Sequence, residues 1–143
     1  MTAELRRRLA GAGDDESGMV TAFVVIFTLA LLAMAGLVLD GGLTLAAKVR
    51  AIDDAQAAAR AGAQAIDIPL YRATGQIVLD PAQAVADAEH YLAASGNTGT
   101  VAVAGDQVTV SVRLTQPTEI LSIVGVDSLS VSGTGTATAE QGQ

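Results

Sequence analysis

Apolar positions fall into three regimes along the chain. From Met19 to Leu39 (MVTAFVVIFTLALLAMAGLVL) they are continuous, with no charge, no Pro and nothing more polar than Thr. These 21 residues match the roughly 20 that a helix rising about 1.5 Å per residue needs to cross a bilayer core. A soluble core helix keeps a polar face, and this stretch has none, so it predicts a membrane span.

The second regime, Leu43 to Ile66, has helical periodicity. Ten of the 21 residues from Ala46 to Ile66 are Ala, the best helix former. A stripe of Leu45, Val49, Ile52, Ala59, Ala63 and Ile66 is interrupted only at Gln56. It is mostly small, which suits close approach of a partner helix. Gly41-Gly42 is the place where a helix running on from the span would bend. Asp67 to Gly75 reads as a loop, and Gln76 to Leu79 as a short strand or link. Asp80-Pro81 then opens a helix, with Asp as N-cap and Pro at the first helical position. Its buried stripe is Ala84, Val85, Ala88, Tyr91 and Leu92, and Gly96 ends it.

The third regime alternates. In TVAVA-GD-QVTVSVRLT the Gly105-Asp106 pair predicts a two-residue hairpin turn. Counting outward places Val103 opposite Val108 and Val101 opposite Val110. Val112 and Leu114 continue that face, and Thr109, Ser111 and Arg113 point the other way. Pro117 to Val124 reads as a short helix ended by Gly125. Ser128 to Ala139 alternates again, with Leu129, Val131, Gly133 and Gly135 inward. The expected fold class is α+β: a transmembrane helix with an amphipathic helical extension, then a small antiparallel sheet packed on helices. The expected organisation is a flexible leader over 1–18, a span over 19–39, an Ala-rich helical extension over 40–68 and an α+β domain over 69–143, with a polar tail from Glu140.

Charge and composition narrow the function. The formal net charge is −7, and residues 40–143 carry five basic against eleven acidic side chains, which leaves no footprint for nucleic acid. Absence of Cys excludes disulfides, thiolate metal sites and a Cys nucleophile. Arg6, Arg7 and Arg8 precede the span, and Lys48 and Arg50 follow it. The small excess before it predicts a cytoplasmic N-terminus and an outer C-terminal domain in a single-pass membrane protein.

Five segments, in order and spacing, resemble the TadE/TadG-like proteins of the tight-adherence (Flp) pilus system in their actinobacterial form. They are ESGMVTAFVV, MAGLVLDGG, AAKVRAIDDAQAAARAGAQAI, YRATGQIVLDPAQAVADAEHYLAASG and IVGVDSLSVSGTGTATA, covering Glu16 to Ala139. The resemblance implies a pilin-like fold. It also implies a non-enzymatic role as pseudopilin or minor pilin-like component in the inner membrane. The implied partners are other pilin-like subunits and the Tad inner-membrane assembly machinery. Prepilin-type processing would cut between Gly18 and Met19. Phe23 then becomes the fifth mature residue, where such substrates usually carry Glu.

Candidate chemistry is sparse. His90, the single His, falls off the apolar stripe of its helix and reads as a surface residue. Asp40 reads as an ordinary acid at the end of the span. Asp53 and Asp54 read as a solvated face, since consecutive helical residues point apart. No G-x-S-x-G occurs, and the glycine pairs lack a phosphate-loop context. No catalytic residue, metal site, cofactor or small-molecule substrate is expected, and a membrane-tethered hydrolase is the weakest reading. The main alternative is a secreted soluble protein. Ala33-Met34-Ala35 is an A-x-A site whose cleavage after Ala35 would leave Gly36 first. Against it, the apolar run continues to Leu39 and acids abut its start.

Overall fold

The computed structural model describes residues 3–139, with side chains from Gly18 onward except that of Val124. The tail from Glu140 lies outside the described residues, as do the side chains of Arg6, Arg7 and Arg8. The chain forms two compact units, divided in sequence between Leu39 and Asp40.

The first unit holds the apolar stretch, all of it within helix α1 (Ala3–Gly62). Among the described residues this is the one helix long and apolar enough to cross a membrane. Its large side chains are exposed from Met19 to Leu39, and Phe23 and Phe27, one turn apart, stack at 5.9 Å between ring centres. Helix already begins at Ala3, so the leader expected to be flexible is helical. Residues 3–9 (AELRRRL) are all good helix formers. The helix also continues through Gly41-Gly42.

The second unit is a two-layer α+β domain. Its sheet comprises β1 (Gly99–Ala104), β2 (Gln107–Pro117) and β3 (Ser128–Thr138), all antiparallel with β2 in the centre. The hairpin register is the one counted from the turn: Val101 pairs with Val110 and Val103 with Val108. Gly105 takes φ +64° in that turn, a left-handed conformation that favours glycine. Val108, Val110 and Val112 bury one face of β2. On the same face Gly133 and Gly135 of β3 pair with Val112 and Val110.

The C-terminal part of α1 crosses this face, burying Ala47, Ala51, Ala55, Ala58 and Ala59. A Cβ on Gly133 would stand 2.2 Å from the carbonyl carbon of Ala51, and one on Gly135 2.3 Å from the amide nitrogen of Gln56. Two glycines therefore let helix backbone touch strand backbone, and Ala supplies the thin helix side that this contact requires. The Ala-rich stretch, expected as an extension separate from residues 69–143, is the domain's own core helix.

Two shorter helices complete the layer. The segment Asp67 to Gly75, expected as a loop, contains α2 (Ile68–Thr74). The Asp67 side chain accepts from the Leu70 N–H at 2.9 Å, Pro69 sits in the first turn, and Gly75 closes the helix at φ +72°. The same chemistry opens α3 (Pro81–Ala94), where Asp80 accepts from the Ala82 and Gln83 N–H groups at 3.0 and 3.1 Å. Ala84, Ala88 and Leu92 of α3 are buried, whereas Tyr91, expected in the stripe, is exposed. The expected strand before α3 is reduced to a single bridge between Ile66 and Leu79. The expected helix over Pro117 to Val124 is a 3-10 turn at Leu121–Val124, closed by Gly125 at φ +90°.

The outer face of the sheet is covered by hydroxyls. Thr109 faces Thr136, Ser111 faces Thr134 and Thr115 faces Ser130, at 3.4, 3.2 and 3.4 Å between oxygens. β3 is an edge strand, and Lys48 of α1 donates to the Ser132 carbonyl on it. A lysine laid over an edge carbonyl blunts strand addition by another chain.

Candidate functional site

The clearest polar construction in the domain is built on Asp40, the first residue after the apolar segment. Its side chain is 1% exposed. One carboxylate oxygen accepts from the Glu119 N–H at 3.0 Å, the other from the Ile120 and Leu121 N–H groups at 3.1 and 2.8 Å. Three consecutive amides entering a 3-10 turn converge on one anion, the arrangement by which orphan N–H groups at a helix start are satisfied. The expectation of an ordinary interfacial acid is corrected: Asp40 is a buried clamp on a segment almost eighty residues away in sequence. Sequence reasoning missed it because its partners are main-chain groups, which every residue type provides.

The amide of Leu121 does most to hold the Asp40 carboxyl below its ordinary value of 3.8. Burial opposes it, and the amides of Glu119 and Ile120 add to the lowering. A carboxyl with a depressed folded value binds fewer protons folded than unfolded. Its contribution to stability is therefore complete above the ordinary value and is lost as pH falls through the lower folded one. Amide exchange checks this. The Glu119, Ile120 and Leu121 amides should be protected at about pH 5 and lose protection in strong acid. Asp40→Ala should remove that protection at every pH. Equal protection in Asp40→Ala would show that the clamp does not hold the turn.

The other residues singled out from sequence are dispersed. Gly18 and Met19 lie within α1 and are exposed. The proposed stripe divides: Leu45 and Val49 are 65% and 51% exposed, Ile52 and Ile66 are half-buried, Ala59 is buried and Ala63 packs against the core. The face that the domain buries runs instead through Ala47, Ala51, Ala55 and Ala58, with Ala47 and Ala51 two positions on from Leu45 and Val49 and so on nearly the opposite side of the helix. Substitution at Ala59 would therefore report on this domain's own core, whereas Leu45 and Val49 remain open to a partner.

His90 is exposed on α3, and Asp53 is exposed on α1. Asp54 departs from the solvated reading, since it is half-buried and accepts from the Asn97 side-chain amide at 2.8 Å. Among the described residues no group of three His, Cys, Asp or Glu comes together. A recess of about 370 Å³ on the sheet, lined by Thr98, Thr100, Ser111, Arg113 and Ser132 among others, contains no carboxylate or imidazole. The domain thus offers surfaces: an exposed apolar strip on α1, a hydroxyl-covered sheet face, and a turn clamped by Asp40, the residue next in sequence to the apolar segment. Comparison of the chain with protein-family models, curated proteins and solved structures finds no match.

Proposed function

We propose that this chain is a membrane-anchored structural component, a pseudopilin or minor pilin-like subunit of a tight-adherence pilus system. Its N-terminus is cytoplasmic and its C-terminal domain lies outside. The observation that carries this reading is that α1 holds both the uncharged 21-residue segment and the residues that pack on a three-stranded antiparallel sheet. A single-pass anchor whose own helix is a core element of the outer domain suits a subunit that assembles side by side with others. The exposed pair Leu45 and Val49, just beyond the span, supplies apolar surface for such a neighbour. Phe23 in place of Glu at the fifth mature position favours a minor or assembly role over that of the main fibre subunit.

Cross-linking tests the reading, since the chain has no Cys of its own. Val49→Cys, expressed in cells carrying the pilus genes, should cross-link to a pilin-like subunit. Adding Leu45→Asp should weaken that product at an unchanged protein level. No cross-link from Val49→Cys would leave the helix without an assembly partner and would remove the pilus reading.

A further inference from the structure

The turn held by Asp40 carries apolar side chains that the domain does not bury. Ile120 to Val126 (ILSIVGV) contains no charged residue. Within it Ile123 is 83% exposed and Val126 is 40% exposed. An isoleucine this open at the tip of a turn adds nothing to the domain's own core.

The backbone around it is nevertheless well satisfied. The Ile123, Gly125 and Val126 N–H groups donate to the Ile120, Ser122 and Leu121 carbonyls, each at 3.1 Å. The Thr118 hydroxyl donates to the Val126 carbonyl, and that of Ser122 to the Glu119 carbonyl. Asp40 takes up three further amides. Most of the turn's N–H groups are thus paired within the domain, which lowers the cost of bringing irregular backbone to the polar–apolar boundary of a bilayer.

Its distance from the end of the apolar segment is bounded by covalent connectivity. Leu39 is the last residue of the uncharged segment and Asp40 is the next. The amides of Glu119 to Leu121 lie one side chain and one hydrogen bond from the helix backbone at residue 40. That holds whatever direction the apolar segment takes before it.

Resting on the membrane-anchor reading, we propose that the turn Ile120–Val126 is a second membrane contact. Ile123 and Val126 enter the interfacial zone of the bilayer that holds the span, and Asp40 keeps the turn at that level. The contact is apolar rather than electrostatic. Glu119 and Asp127 flank the turn, and no Lys or Arg occurs after Arg113, so anionic headgroups have nothing to attract.

The absence of Trp from the chain makes a single introduced Trp a clean reporter. Three full-length variants, Ile123→Trp, Phe27→Trp and Ala102→Trp, are reconstituted in phosphatidylcholine vesicles containing brominated acyl chains. Phe27 lies mid-span, and Ala102 is exposed on β1. Strong quenching is expected for the Phe27 variant, none for the Ala102 variant, and an intermediate, salt-insensitive level for the Ile123 variant. Adding Asp40→Ala should bring the Ile123 signal towards the Ala102 level and leave the Phe27 signal unchanged. If the Ile123 variant is quenched no more than the Ala102 variant while the Phe27 variant is quenched, the turn does not meet lipid, although the anchor stands. A blue-shifted but unquenched signal at 123 would assign the turn to a protein partner and overturn the proposal. Quenching at 123 that survives Asp40→Ala would remove Asp40 as its cause. Failure of quenching at 27 would overturn the anchor, and the proposal with it.

Discussion

Gly133→Ala and Gly135→Ala are expected to be among the most damaging single-methyl changes in the domain. The added Cβ would stand 2.2 Å from the Ala51 carbonyl carbon or 2.3 Å from the Gln56 amide nitrogen, distances that no side-chain rotation relieves. Because the obstacle is helix backbone, α1 must move off the sheet as a whole and release Ala51, Ala55 and Ala58 from the core. Overpacking usually costs about 1–3 kcal/mol. Here about 3 kcal/mol or more is expected, a large part of the roughly 5–15 kcal/mol that holds a domain folded. Ser132→Ala and Thr134→Ala lie beside these glycines on the outward side; the first should change stability by no more than about 0.5 kcal/mol, and the second, which gives up the hydroxyl contact with Ser111, by about 1 kcal/mol. Thermal unfolding of the detergent-solubilised chain, followed by circular dichroism, separates the two classes. A Gly133→Ala protein that melts with the parent would mean that α1 does not lie on β3.

Val110→Asp should unfold the same domain by a different route. Val110 is fully buried in the central strand, paired with Val101 on one side and Gly135 on the other. A carboxylate there meets only apolar neighbours and would cost several kcal/mol. The adjacent Thr109 points to the outer face, where its hydroxyl meets that of Thr136 at 3.4 Å. Thr109→Asp loses that weak contact and keeps its charge in water, so it should cost less than about 1 kcal/mol. Amide exchange at Val108 and Val112 is the readout. Similar losses from both changes would mean that the register is shifted by one residue.

The sheet was legible in the sequence because two independent signals agree there: the Gly105-Asp106 turn sets a register, and the valine alternation requires the same one. The Asp80-Pro81 start of α3 was legible for a similar reason, as cap and proline coincide. Asp67 and Pro69 carry the same signal for α2, one residue further apart, and the short apolar run behind them concealed it. The phase of α1 within the domain was not legible. Alanines occur around the whole helix, so periodicity carries little contrast between its faces. The buried side is chosen by Gly133 and Gly135, about eighty residues later in the chain. The clamp of Asp40 was hidden for a more general reason: a carboxylate that binds main-chain amides leaves no complementary side chain to find.

Residues 19–39 are expected to stay attached to the domain and hold it in a membrane. Intact mass of the protein recovered from carbonate-washed membranes tests it most directly. The expected species remains with the membrane and includes Met19–Leu39, beginning at Met1 or, after processing behind Gly18, at Met19. A soluble species beginning at Gly36 would contradict the account and identify the apolar segment as a signal peptide.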